Sequence, residues 1–326
     1  MSILKACGND PFDREYGIGV SALGENFSPY ERTNQLLKQL HDTPYTVDDQ
    51  RAMLVTQAYQ QFKADPQIIK VAKTLKYVLE HVDIHIYPGE LLVCGNGAPM
   101  KSCPIFPEFS YAWVADEIRT FPFHAREMQK YEPQTKEQEQ RLLSIEDFWK
   151  DNTVDDYSCA RMTPEEIRAS QMGYGLFVNT IILWAGVGHT SPNYRRLLSQ
   201  GFCGLRRSVE EKLAALDRTD PGSLQKIYYY EASLITLDAA EIYCRRYAAL
   251  ALEQAKTASP ERAAELEEIA RVCDWIATQP PRTFREAIQL FLLGTAIVVT
   301  EANGQSISYG RFDQFMYPFY KHDIET

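Results

Sequence analysis

The sequence predicts a mostly α-helical protein with few strands. Capping signatures stand directly ahead of apolar residues spaced three and four apart. One unbroken helical pattern runs from Ser223 to about Lys256. Alternating apolar and polar runs, which would mark half-buried strands, are short and rare.

The elements follow in chain order. The first ~25 residues and Ala98–Pro107 read as irregular from their glycine and proline content. Asp65-Pro66, as N-cap and first-turn proline, opens a helix in which Ile69, Ala72, Leu75, Val78 and Val82 repeat at helical spacing. Ile84, Ile86 and then Leu91–Val93 flank Pro88-Gly89, which suggests short strands around a tight turn. Phe121–Gln140 is polar and expected to be exposed. Thr163-Pro-Glu-Glu166 is a capping box, in which the threonine accepts from a first-turn amide and the glutamate returns the bond. Along the pattern beginning at Ser223, Leu224, Tyr228, Ala232, Ile235, Ala239 and Ile242 share one stripe of a helix roughly 50 Å long. Ser259-Pro260 starts the next helix, with Leu266, Ile269, Cys273 and Ile276 facing inward, and Pro280-Pro281 ends it. Thr283-Phe-Arg-Glu286 is a second capping box, opening a helix through the apolar stretch Leu290–Val299. Ser306–Tyr309 reads as a short strand entering Gly310. There is no internal repeat.

Composition limits the function classes. The 326 residues carry a formal charge of −10, with 45% apolar and 24% charged residues, which is ordinary for a globular chain and unlike a disordered one. The acidic excess argues against non-specific nucleic-acid binding and against docking on anionic membranes. The seven cysteines are scattered without a CxxC pair, so neither a zinc ribbon nor a disulfide framework is indicated. With no signal peptide at the start, a cytoplasmic location is expected. Ala169–Gly188 lacks formal charge, but its continuous apolar part, Ile181–Val187, is far short of the roughly 20 residues a span needs, so it reads as buried rather than transmembrane.

Candidate chemistry is sparse. Gly173-Tyr-Gly175 and Gly186-Val-Gly188 do not complete a GxGxxG loop, and structural glycine explains them better. His81 and His85 have helical metal-pair spacing, but the alternation across Val82–Ile86 turns them apart, so no metal site is expected. His189 ends the uncharged segment where buried chain meets a turn; it could exchange a proton with a polar ligand, although a hydrogen-bonded structural histidine is the simpler reading. From Glu301 to Gln314 many polar groups follow an apolar helix. There, Arg311 and Asp313 suit a structural ion pair, and Ser308 faces either backbone or ligand. Nucleophile elbows and HExxH zinc motifs are absent from the sequence.

Several segments together resemble the glycyl radical enzymes, in the pyruvate formate-lyase-like branch that includes diol and glycerol dehydratases. They are Ile86-Tyr-Pro-Gly-Glu90-Leu-Leu-Val-Cys-Gly95, Pro104-Ile-Phe-Pro-Glu108, Phe148-Trp149, Gly188-His189 and Gly201-Phe-Cys-Gly204-Leu. Arg246-Tyr247-Ala248 and Leu266-Glu-Glu-Ile-Ala270 with Cys273 add to them. The most specific are Pro280-Pro281-Arg-Thr283-Phe284-Arg-Glu286-Ala287-Ile-Gln289 and Ser308-Tyr-Gly310-Arg311-Phe-Asp313-Gln314 with Tyr317-Pro318. The resemblance implies a ten-stranded α/β barrel with outer helices, in a homodimer. It implies a cysteine thiyl radical raised by a glycyl radical, which an S-adenosylmethionine-dependent, iron–sulfur activating enzyme installs. None of the seven cysteines stands in the family's Gly-Cys-x-Glu context, and its glycyl loop is absent. The resemblance therefore implies a 1–28 extension followed by the N-terminal part of the pyruvate formate-lyase-like domain at 29–326. No cofactor is expected to bind this part, and no catalytic residue is assigned, because the radical cysteine, its glutamate and the glycine lie elsewhere. His189 and Ser308 match positions that bind substrate hydroxyls in dehydratase members. The expected function is that of a glycyl radical lyase or dehydratase acting on a small hydroxylated substrate, inactive as this chain alone. The alternatives are a stand-alone helical interaction module or one subunit of a split enzyme. Formate acetyltransferase-like, aryl-acetate decarboxylase and carbon–sulfur or carbon–nitrogen lyase chemistries also stay open. Expected partners are the activating enzyme and the missing C-terminal half or a second subunit.

Overall fold

The computed structural model describes residues 28–95, 97–126, 130–166, 190–304 and 306–326, in two units. The smaller comprises residues within Met1–Pro44 and Tyr87–Glu90. Helix α1 (Glu31–Asp42) is its one described helix, and Pro88-Gly89 forms the expected tight turn, closed by the Glu90 amide on the Tyr87 carbonyl at 3.2 Å. Arg32 Nη1 donates to the Gly89 carbonyl at 3.1 Å.

The larger unit holds Tyr45–Ile86 and Leu91–Thr326. Strand β1 (Thr46–Asp48) leads into α2 (Gln50–Gln61) and α3 (Gln67–His81), and β2 (Ser102–Pro104) returns beside β1 in parallel, with Val47 opposite Cys103. Parallel neighbours need a crossover, and α2 and α3 supply it. Short helices α4 (Ala112–Thr120), α5 (Lys136–Ser144), α6 (Glu146–Trp149) and α7 (Val154–Cys159) follow. Five longer ones come next: α8 (Tyr194–Ala214), α9 (Leu224–Ala255), α10 (Pro260–Thr278), α11 (Phe284–Ala302) and α12 (Phe312–Glu325). Helix α9 packs along α3 and α10, and the shared core includes Leu79, Val93, Tyr243, Tyr247, Ile276 and Leu290.

Most expected helices form where their signatures stand. Ser259 caps α10 by accepting from the Arg262 amide, and Leu266, Ile269, Cys273 and Ile276 are buried. Thr163 and Glu166 exchange both bonds of their capping box. Other details differ for local reasons. Pro66 is the N-cap of α3, not its first residue, because Asp65 turns its carboxylate to Lys73 at 2.8 Å instead of capping. On α9 the expected stripe holds at Ala232 and Ala239, but Leu224 is exposed and the buried face continues through Tyr243, Cys244, Tyr247 and Ala251. The helix has neighbours on more than one side there, so no single stripe describes it. Phe123 is buried within the segment expected to be exposed. Ser306–Tyr309 is not a strand, and β2 lies inside the stretch read as irregular.

The expected strand at Leu91–Val93 is replaced by a different arrangement. Gln289, on α11, donates from Nε2 to the Val93 carbonyl at 2.7 Å and accepts from the Val93 amide at 2.9 Å. Its amide thus does for Val93 what a neighbouring strand would. Arg285, one turn earlier, donates to the Leu91 carbonyl at 2.9 Å. Beyond, Tyr243 donates to the Gly95 carbonyl at 2.7 Å, and a Cβ on Gly95 would fall 2.5 Å from the Tyr247 hydroxyl, so only glycine fits.

The second capping box forms by half. Thr283 accepts from the Glu286 amide at 3.2 Å, but the Glu286 carboxylate, wholly buried, goes elsewhere. It takes the Arg282 amide at 2.8 Å, the Arg282 guanidinium at 2.7 Å and Arg271 at 3.1 Å. Burial alone would raise its pKa; these donors outweigh burial and hold it below the ordinary carboxylate value. Arg282 also lies 3.4 Å over the Trp275 ring. Gly201 breaks α8 with φ 63°, and its would-be Cβ lies 2.9 Å from the Pro280 nitrogen, so the Gly201 and Pro280-Pro281 motifs meet in space.

Replacing Gln289 by leucine strands a buried donor and a buried acceptor on Val93, and the expected loss is about 3 kcal/mol in urea unfolding. A pH effect is expected at Asp48. Burial first, then the neighbouring Asp49 charge, push its carboxyl from 3.8 up to about 6, against the pull of the Arg51 and Gln50 amides. The folded state therefore holds this proton more firmly than the unfolded state, and stability falls as pH rises between the two values. Asp48→Asn is expected to melt above the parent at about pH 7.5, with the gap closing by about pH 4.

Candidate functional site

Helix α2 buries Ala52, Val55 and Ala58, and on the same side it carries Arg51, which is 3% exposed. A guanidinium so enclosed must find partners for its five N–H groups. Nε donates to the Thr300 carbonyl at 2.8 Å. Nη1 reaches the Ile105 carbonyl at 3.4 Å and Glu108 at 3.1 Å; Nη2 reaches Glu108 at 2.5 Å and the Glu301 carbonyl at 3.3 Å. The Phe106 ring lies 3.6 Å beneath. Thr300 and Glu301 are in the last turn of α11, where carbonyls lack helical partners and a cation is favoured. Arg51 thereby fixes where α11 stops and where the next loop departs.

That loop carries Ser308. It leaves α11 through Asn303 and Gly304, both with positive φ. The Ser308 amide donates to the Thr190 carbonyl at 2.9 Å. Phe291, buried on α11, gathers Tyr309, Phe312 and Tyr194 with ring centroids 5.1, 5.2 and 4.6 Å away. The Tyr194 hydroxyl meets Thr295 at 2.8 Å, which fixes the start of α8 just beyond Thr190. The Ser308 side chain is exposed. Arg311 and Asp313 pair at 3.6 Å as expected, but both are mostly exposed, where such pairs contribute little.

His189 lies outside the described residues, as does the whole uncharged segment 169–188 with its glycine pairs at 173–175 and 186–188. The structure therefore brings Ser308 beside residue 190, immediately after His189. Sequence reasoning gave no role to Arg51, Glu108 or Gln289. The one signal for Arg51 was a lone cation on an otherwise buried helix face.

A cleft of about 870 Å³ lies against the Arg51–Glu108 pair, lined by α2, α3, the end of α11 and residues 151–157. Burial first, then the Glu108 charge, push the Tyr59 phenol in its wall up to about 12, so it serves as a neutral hydroxyl. The Cys103, Cys159, Cys244 and Cys273 thiols are all raised, burial being the largest cause in each, which disfavours thiolate chemistry.

The chain belongs to the pyruvate formate lyase-like family, which matches residues 21–326. It is 37% identical over 98% of its length to the (2S)-3-sulfopropanediol dehydratase of Klebsiella oxytoca, of which it covers 39%. Among solved structures, the glycerol-bound B12-independent glycerol dehydratase from Clostridium butyricum is 33% identical with a TM-score of 0.83 over 90% of this chain and 37% of that one. A structure of 1,2-propanediol dehydration in Roseburia inulinivorans is 31% identical with a TM-score of 0.86, over 91% and 35%. The chain thus spans under two-fifths of the length of these relatives.

Replacing Arg51 by methionine leaves the Glu108 carboxylate and the α11 carbonyls without their donor. The expected cost is about 3–5 kcal/mol in urea unfolding, together with faster proteolysis of the loop at 303–311.

Proposed function

We propose that the chain is part of a glycyl radical lyase of the dehydratase type, acting on a small hydroxylated substrate by thiyl-radical hydrogen abstraction. The observation that carries this reading is the Ser308 amide on the Thr190 carbonyl, which joins the Ser-Tyr-Gly-Arg signature to the residue after His189. Glycerol, 1,2-propanediol and sulfopropanediol, named for the relatives, are all hydroxylated small molecules. His189 and Ser308 hold and orient the substrate hydroxyl, and such positioning raises the rate of the step that follows. A radical installed by an S-adenosylmethionine-dependent activating enzyme supplies the hydrogen abstraction, in a cytoplasmic and anaerobic setting. None of the cysteines here lies in the radical sequence context, so this chain alone is not catalytically competent.

Further polypeptide completes the enzyme, whether continuous with this chain or a second subunit, and the whole acts as a homodimer. One face of α12 supports this, because Tyr317, Tyr320 and Ile324, spaced three and four apart, are 58%, 50% and 64% exposed.

Anaerobic incubation with an activating enzyme, followed by EPR, is expected to give no glycyl doublet on this chain alone; a doublet would overturn the claim of incompetence. In a polypeptide that also carries the radical motifs, Ser308→Ala is expected to lower kcat/KM about tenfold and leave the doublet intact. Unchanged kcat/KM would remove Ser308 from the substrate site.

A further inference from the structure

The approach to α8 and the loop of Ser308 touch at two points. The Ser308 amide donates to the Thr190 carbonyl at 2.9 Å. Gly310, with φ 68°, comes so close to Ser191 that a Cβ on it would lie 3.5 Å from the Ser191 hydroxyl. From Thr190 to Tyr194 the chain is short and stiff. Proline restricts φ at position 192, and the Tyr194 amide donates to the Pro192 carbonyl at 2.8 Å. The Asn193 side chain caps α8 by accepting from the Arg196 amide at 3.1 Å. Where Tyr194 is held therefore decides where the Thr190 carbonyl stands.

Tyr194 is held in one direction. Its side chain is buried against Phe291 and Phe315, with ring centroids 4.6 and 5.8 Å away. Its hydroxyl lies 2.8 Å from Thr295 Oγ1, and that same oxygen lies 2.8 Å from the Phe291 carbonyl. A carbonyl only accepts and a threonine hydroxyl has one hydrogen, so Thr295 donates to Phe291 and accepts from Tyr194. Burial raises the Tyr194 phenol, which keeps it protonated as that donor. Apolar packing alone would hold the ring; the hydroxyl adds a fixed height along α11.

We infer that Tyr194 is a positioning residue for the substrate hydroxyl, acting through Thr190 and Ser308, an inference that rests on the reading of Ser308 given above. The contacts run from the Phe291 carbonyl through Thr295 and Tyr194 to Thr190, and from its carbonyl to the Ser308 amide. Loss of the phenol hydroxyl frees Thr190 and Ser308 to shift, and a small displacement of an orienting group slows the step that it orients. No group that touches the substrate is removed, so the loss falls on kcat and leaves KM nearly unchanged.

The test uses the full polypeptide that also carries the radical motifs, activated anaerobically. Tyr194→Phe keeps the ring and removes only the hydroxyl. It is expected to lower kcat about fivefold, with KM within about twofold and the glycyl doublet intact. Combined with Ser308→Ala it is expected to add nothing, since its effect passes through Ser308. Thr295→Val is expected to reproduce the loss and Thr295→Ser to avoid it. Hydrogen exchange on the 326-residue chain gives a second readout: Tyr194→Phe is expected to speed exchange of the Ser308 amide about tenfold, while amides in α9 and α10 keep the parent's rates. Parent-like kcat in Tyr194→Phe beside an impaired Ser308→Ala overturns the inference and leaves the reading of Ser308 standing. So does a fully multiplicative loss in the double variant, or unchanged exchange at Ser308. An unimpaired Ser308→Ala overturns both.

Discussion

Arg51 is the interaction on which the arrangement around the loop depends, because it joins segments that lie far apart in the chain. Its fork reaches Glu108 from the stretch after β2 and the carbonyls of Thr300 and Glu301 at the end of α11. A lysine could not replace it, since one ammonium offers three donors from a single point, whereas here five are spread over a plane that also stacks on Phe106. A buried ion pair is no stronger than a well-packed apolar replacement in net stability. Its value lies in geometry. An apolar trio at the same place would fill space but would leave the last carbonyls of α11 without donors, and the position of the following loop unset.

Helix α11 turns that fixed end into a scaffold. Its first turn buries Glu286 among Arg282 and Arg271 and so locks α11 to α10. Further along, Arg285 and Gln289 hold Leu91–Val93 extended without a strand partner. Further still, Phe291 and Thr295 hold the start of α8 and the loop of Ser308 through Tyr194 and Tyr309. One helix thus sets the height of three otherwise unrelated segments. The Arg-Thr-Phe-Arg-Glu-Ala-Ile-Gln motif accounts for most of these contacts.

This explains which features were legible in the sequence. Caps and periodicity are local, so Ser259, Thr163 and the apolar spacing of α3 and α10 could be read directly. Leu91–Val93 misled because its apolar run is that of a strand, while its backbone partners are side chains nearly two hundred residues away. The real strands are three residues each, too short to show alternation. Arg51 was hidden for the same reason as Gln289, since its partners lie 57 and about 250 residues along the chain. Ser308 was singled out by family resemblance; its residue type and spacing alone favoured a structural role.

The loop carrying Ser308 is also where the backbone is least relaxed. Asn303, Gly304, Ser306 and Gly310 all have positive φ. Glycine and asparagine adopt that region readily, but Ser306 does so at a cost of order 1 kcal/mol or more. Such a conformation persists only if its surroundings determine it. Here both ends are determined: Arg51 holds the departure from α11, and Phe291 holds Tyr309 and Phe312 on the return. A polar loop held this way presents Ser308 at a fixed place, and the strain at Ser306 is the cost of keeping it there.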